Sequence, residues 1–301
     1  MEERPPFIKP LYIDEHIVLR QDDESAALVA ERAAEVPVDP RSGVARVNRA
    51  RWEEAQRYER RSWMEHGRRA LSDRNEYHRE RFAGYAPLRG RRFGRGIELG
   101  SGPYTNLRLI LEHCRIDEIH VLDPLIGDYV GHPFCRYRNG RLGGILRQSP
   151  GRLPAYIRHP RELVRTSIND WRVGGWLGRP VTTVASMIED YAPSGPFDLV
   201  VMINVLEHCQ DAERVLSKID EILVPGGVLV YHDKMYRAQA VRELLRVLYD
   251  AGHPLRVDQS VVDGFLARSF TPLMRAEYRV ASEFRGVPLD YSELYAICEK
   301  R

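Results

Sequence analysis

From residue 96 onward the chain alternates short apolar runs with amphipathic stretches, and this constrains its fold more than any other feature. Gly96–Leu99, Ile119–Leu122, Val181–Ala185, Asp198–Ile203 and Val228–His232 read as strands, because each is too short and too rich in branched side chains for a helix. Thr105–His113, Ala212–Leu223 and Arg237–Ala251 carry apolar residues at helical spacing, and Glu293–Glu299 reads as a last strand. Strands that alternate with helices need crossover connections, which make the sheet parallel and cover both of its faces. The expected fold class is therefore α/β.

The flanking segments read differently. Residues 1–44 are irregular, with Pro5, Pro6, Pro10, Pro37 and Pro40 and a short helix expected around Ser25–Glu35. Val47–Tyr85 is helical in pattern, with Trp52, Tyr58, Trp63, Tyr77 and Phe82 interspersed. The run LRGRRFGRG then connects to the next domain. This divides the chain into a helical cap, residues 1–90, and an α/β domain, residues 91–301. Between the second and third strands Gly127–Pro180 is far longer than a crossover requires. Its aromatics and apolar pairs lead us to expect an ordered lobe, about 126–180, over the active site.

Charge is segregated. Residues 41–95 hold 16 Lys and Arg against 7 acids, and residues 126–180 hold 10 against 3, whereas residues 1–40 hold 4 against 10. Basic blocks attract phosphate, nucleic acid or acidic substrates, or are solvated and salt-bridged. No apolar run reaches the roughly 18 residues of a membrane span, and MEERPPFIKP has no apolar segment after a basic start. Cys114, Cys135, Cys209 and Cys298 are scattered, without a C-x-x-C pair, which disfavours a disulfide framework or a zinc ribbon. A cytoplasmic protein with reduced thiols is expected.

The stretch that carries chemistry is Gly96-Ile97-Glu98-Leu99-Gly100-Ser101-Gly102-Pro103-Tyr104-Thr105, where a strand passes through a glycine turn into a helix. Gly100 and Gly102 let backbone approach a ligand without a Cβ in the way. A dinucleotide fold would place a third glycine where Thr105 stands. Glu98, two positions before Gly100, would repel a pyrophosphate but suits a cationic amino group, directly or through water. Asp123 ends the second strand, at a spacing from which a carboxylate accepts hydrogen bonds from ribose hydroxyls.

This pattern resembles the first motif of class I S-adenosylmethionine (SAM)-dependent methyltransferases. Two further segments resemble that family: Phe197-Asp198-Leu199-Val200 with Val205-Leu206-Glu207-His208, and Leu223-Val224-Pro225-Gly226-Gly227-Val228-Leu229-Val230. The resemblance covers about residues 95–233 and implies a Rossmann-like, seven-stranded, mostly parallel sheet with helices on both faces. It implies SAM as cofactor and S-adenosylhomocysteine as product. Glu98, Gly100, Ser101 and Gly102 would surround the methionine part, and Asp123 would hold the ribose with Pro124 and Leu125 beside it. Ser186 and Met187 would lie at the adenine edge, although the family usually has Asp or Asn there. Asn204 would face the sulfonium, and Tyr58 and Trp63 could close over the cofactor as a lid.

Methyl transfer needs in-line positioning of donor and acceptor, and a hydroxyl or amine acceptor must also lose a proton. His208, His232 and Asp233 are the candidate bases, each at the end of a strand; His208 has a competing structural role. Asn204-Val205-Leu206-Glu207 lacks the proline and aromatic of adenine N-methylating enzymes, and no cysteine has the context of a pyrimidine C5 nucleophile. No metal is expected, since Asp233 alone could serve a catechol-type site. The expected acceptor is a hydroxyl or amine of a small molecule, sugar or natural product. The alternatives are an RNA methyltransferase, suggested by the basic blocks, and a non-catalytic SAM-fold partner subunit. No membrane partner is expected, and the sequence leaves the oligomeric state open.

Overall fold

The computed structural model describes residues 17–19, 31, 34, 36–64, 75–103, 105–129, 181–245, 248–280, 283–284, 287–288 and 291–301. Its centre is a seven-stranded sheet of β1 (Arg92–Leu99), β2 (Arg115–Leu122), β3 (Val181–Val184), β4 (Phe197–Ile203), β5 (Leu223–Tyr236), β6 (Phe270–Val280) and β7 (Tyr291–Lys300). The spatial order is β6-β7-β5-β4-β1-β2-β3. The first five strands pair in parallel with one another, and β7 pairs antiparallel with both β5 and β6. Six strands therefore run one way and β7 runs the other. The order reverses between β1 and β4, so the carboxyl ends of these strands flank a crevice of the kind where open α/β sheets bind ligands.

Side chains alternate across the strands and build two cores. Leu199, Val201 and Ile203 of β4 pack on one face of the sheet, and Val200 and Met202 on the other. The helix Ala212–Ile222 covers the second of these faces with Ala212, Val215, Leu216, Ile219 and Ile222, an i, i+3, i+4, i+7 stripe. Asp211 caps this helix by accepting the Arg214 amide at 3.1 Å. Fully burying a side chain such as Ile219 contributes about 1.5–3 kcal/mol. The opposite face is covered by Phe82, Tyr85 and Leu88 and by Leu107–Ile110.

A sixteen-residue helix, α1 (Arg49–Met64), and a shorter one, α2 (Asn75–Arg81), precede the sheet. Three contacts tie α1 to the carboxyl edge. Gln56 donates to the carbonyl of His208, after β4. Arg60 donates to both oxygens of Asp128, beyond β2. Arg49 donates to Met187 Sδ, beyond β3.

Several elements depart from the sequence expectation. The helix expected at Thr105–His113 is confined to Leu107–Ile110, followed by turns. The helix expected at Arg237–Ala251 ends at Leu245, and Leu248–Asp250 instead pairs with Ile17–Leu19. A helix at Gln259–Ser269 and strand β6 were not anticipated. Pro272 argues against a strand, but β6 is the sheet edge and its register slips beside Pro272, where proline is tolerated. The expected lobe 126–180 lies outside the described residues beyond the short helix Ile126–Tyr129, as does almost all of the expected helix at Ser25–Glu35. Among the described residues no helix is long and apolar enough to cross a membrane, and Cys114, Cys209 and Cys298 are free thiols.

Candidate functional site

The turn after β1 is held from below. The Gly100 amide donates to Leu122 O at 2.7 Å, and a Cβ on Gly100 would stand 2.3 Å from a Val205 methyl. With φ at +66°, this position requires glycine on both counts. Gly102 also has a positive φ, +51°, yet a Cβ there would meet no atom within 4 Å. Beside it, Ser101 is buried and its hydroxyl has no hydrogen-bond partner among the described residues. Open space and an unpaired buried hydroxyl are what a polar ligand over this turn would complete.

Asp123 joins the turn to the second strand. Its Oδ2 accepts the Gly102 amide at 3.0 Å and its Oδ1 accepts the Leu125 amide at 2.8 Å. Burial pushes its carboxyl up to about 6, against the pull of those two amides. Each oxygen retains acceptor capacity. Pro124 and Leu125 continue the chain past it and are half-buried. Ser186 and Met187 follow β3, whose Val184 pairs with Leu122, so they neighbour the Asp123 end of β2. The Ser186 hydroxyl donates to the Met187 carbonyl at 2.8 Å. Asn204 ends β4 with φ at +59°, a left-handed conformation that asparagine tolerates, and its amide donates to His232 O.

Glu98 lies behind the glycine turn, at the end of β1. Its carboxylate is fully buried and accepts bonds from the Thr105 hydroxyl, from the Asn106 amide at 2.7 Å and side chain at 2.9 Å, and from the Leu107 amide at 3.4 Å. It caps the helix after the turn from the preceding strand, satisfying amides and complementing the helix dipole. Tyr58 lies on α1. It is buried against Tyr249 and Ala251, and its ring lies 2.4 Å from where a Gly252 Cβ would stand. The carboxyl edge of the sheet is contacted by Arg49, Gln56 and Arg60 of the same helix.

The three candidate bases separate clearly. Asp233 accepts the Val205 and Leu206 amides and its own neighbour's amide at Lys234, so its carboxylate braces the loop after β4. His232 is 2% exposed, with its ring 4.1 Å from Tyr295 and 4.6 Å from His78. Neither ring nitrogen has a hydrogen-bond partner among the described residues. Burial, with His78 and Lys234 nearby, holds its pKa well below the usual imidazole range. His208 alone keeps a partly exposed ring, with Nδ1 2.9 Å from Gly252 O and 3.6 Å from Glu59.

Around His208 lie groups that sequence reasoning missed. His253 Nδ1 is 2.7 Å from Asp250 Oδ2, and its ring lies 4.6 Å from that of His208. Glu207 is buried in an ion pair with Lys234 and stands 3.9 Å from Arg256, which also binds Asp250 at 2.8 Å. Glu59, His208, His253 and Asp250 come from distant parts of the chain, so no spacing motif announces them.

A methyltransferase-domain family model matches residues 64–256. No curated protein matches the sequence. Among solved structures, the chain is similar to the N-methyltransferase NodS from Bradyrhizobium japonicum WM9, at 17% identity over 76% of this chain and 99% of that one, with a TM-score of 0.42. It is similar to the 1,6-didemethyltoxoflavin-N1-methyltransferase of Burkholderia thailandensis, solved with 1,6-didemethyltoxoflavin and S-adenosylhomocysteine, at 16% identity over 88% and 97%, TM-score 0.42. It is also similar to an rRNA methylase from Streptococcus thermophilus, at 13% identity over 76% and 97%, TM-score 0.35. With the family model covering well over half of its length, and with the glycine turn and Asp123 in place, the chain belongs to the methyltransferase-domain family and is a SAM-dependent enzyme of class I.

Proposed function

We propose that this enzyme methylates a hydroxyl or amine of a small-molecule, sugar or natural-product acceptor in the cytoplasm. The observation that carries its cofactor site is the Asp123 carboxylate, fixed by the Gly102 and Leu125 amides beside open space at Gly102. Gly100, Ser101 and Gly102 would surround the methionine portion of SAM, and Asp123 would accept both ribose hydroxyls, next to Pro124 and Leu125. Ser186 and Met187 would border the adenine, and Asn204 would face the sulfonium. When bound, SAM supplies a methyl group already activated by its leaving group. The remaining work is to position the acceptor and exclude water, and α1, tied to the ends of β2, β3 and β4, supplies that cover.

Part of the first basic block supports a small acceptor over RNA. Arg49, Arg51, Arg60, Arg79, Arg91, Arg92 and Arg95 each pair with a carboxylate, so these charges are compensated within the fold. Phosphate binding needs cations that neutralise backbone charge instead. The second block lies outside the described residues.

Calorimetric titration with SAM and S-adenosylhomocysteine tests the reading. The wild type should bind both, and Asp123→Ala should weaken each by about tenfold or more, since two charge-assisted hydrogen bonds are lost. Absence of binding by the wild type would overturn it.

A further inference from the structure

We propose that Glu59, His208 and His253 form a binding site for one divalent first-row transition ion of the zinc type, at the carboxyl edge of the sheet beneath α1. One carboxylate oxygen of Glu59 and one ring nitrogen of each histidine lie within 4.8 Å of one another. A tetrahedral ion with ligand bonds of about 2.1 Å spaces its ligands about 3.4 Å apart, so small side-chain rotations close the set. Two imidazoles and a carboxylate select zinc, cobalt or nickel over magnesium or calcium, which prefer all-oxygen sites.

The surroundings are those of metal-ligating histidines. Such histidines donate their second ring N–H to a carbonyl or carboxylate, which fixes the tautomer and leaves the other nitrogen's lone pair for the ion. His253 is placed to do so at Nδ1, toward Asp250 at 2.7 Å, and His208 Nδ1 lies between Gly252 O at 2.9 Å and Glu59 Oε1 at 3.6 Å. That leaves the His253 Nε2 lone pair for the ion, 3.5 Å from Glu207 Oε1, which the Lys234 ammonium also binds. Glu59 is oriented in turn by the Trp63 indole, which donates to its other oxygen at 3.0 Å. The charges agree. Glu54, Glu59, Glu207 and Asp250 face Arg51, Lys234 and Arg256, which leaves one negative charge in excess when the imidazoles are neutral.

The three side chains are each about one-fifth exposed, so the ion would be reachable from outside. Three protein ligands leave a fourth position for water or an acceptor oxygen. This use rests on the methyltransferase reading: an acceptor hydroxyl bound to the ion releases its proton to water more readily than a free one.

Untagged protein, stripped with a chelator, would be titrated with Co2+ and followed by the visible absorption of the bound ion, with Zn2+ as competitor. One ion per chain is expected, with His208→Gln, His253→Gln and Glu59→Gln each weakening it by about tenfold or more, and His120→Gln leaving it unchanged. Circular dichroism and thermal melting of each metal-free variant would establish that it is folded. No stoichiometric Co2+ absorption in the wild type would overturn the site, as would a folded His208→Gln/His253→Gln double variant that binds Co2+ as the wild type does. S-adenosylhomocysteine titration of the metal-free protein reports on the cofactor site separately, so failure of the ion site and failure of the methyltransferase reading are distinguishable.

Discussion

Asp233 Oδ2 accepts the amide of Val205 at 2.9 Å, tying the end of β5 to the loop that follows β4. The same oxygen takes the Leu206 amide, and the second oxygen takes that of Lys234. Asp233→Asn replaces one acceptor by a donor and leaves an amide without a partner, so it should cost about 1–3 kcal/mol of stability. Urea unfolding reads this loss directly. If Asp233 were the catalytic base, the substitution would instead abolish turnover with the unfolding midpoint unmoved.

The two glycines of the turn should fail in opposite ways. Gly100→Ala drives a Cβ to 2.3 Å from Val205 and should destabilise the fold. Gly102→Ala meets no protein atom and carries only the left-handed backbone cost, about 1–2 kcal/mol. It does fill the open space of the turn. Gly102→Ala should therefore melt near the wild type and bind S-adenosylhomocysteine poorly, whereas Gly100→Ala should melt early. Equal loss of stability in both would contradict this division.

The parallel core was legible because period-two and helical patterns survive in sequence: β4 alternates Leu199, Val201 and Ile203 against Val200 and Met202. The cofactor turn was legible because glycine and aspartate spacing is local. The edge strand β6 was not, since Pro272 breaks its pattern and only its outer position in the sheet makes that tolerable. Glu98 is legible as an acid beside the glycine turn, but the partners that hold it, Thr105, Asn106 and Leu107, come together only when the turn folds back on β1. The cluster of Glu59, His208 and His253 assembles from α1, the loop after β4 and the turn after Asp250, a juxtaposition that no sequence window contains.

Asp123 should make cofactor-free stability depend on pH in the mildly acidic range. Burial raises its folded pKa from 3.8 to about 6, so the folded state holds a proton that the unfolded state has released. Its contribution is fully present below the unfolded value and is lost as pH rises through about 6. Thermal melting from about pH 4 to 7 should show the wild type losing more stability than Asp123→Asn, which cannot titrate. Ribose hydroxyls donate to the ionised form, so S-adenosylhomocysteine should bind more tightly as pH rises through the same range. Parallel pH profiles for wild type and Asp123→Asn would remove Asp123 as the source.

Lys234 and Glu207 form a buried ion pair whose side chains are 15% and 3% exposed. Burial pulls the Lys234 pKa down, but the attraction of Glu207, its hydrogen bond and the nearby Tyr236 and Asp233 together outweigh burial and keep the ammonium charged. Lys234→Met leaves Glu207 with only the more distant His253 and Arg256, at 3.5 and 3.9 Å. Breaking one side of such a pair costs about 3–5 kcal/mol, because the remaining charge is buried without its partner. Removing the second charge as well relieves that penalty, so Glu207→Gln/Lys234→Met should lose less than the sum of the two single variants. A double-mutant cycle by chemical denaturation measures the difference, expected at about 1 kcal/mol or more. Strict additivity would mean that the two groups do not stabilise each other, and that Arg256 rather than Lys234 neutralises Glu207.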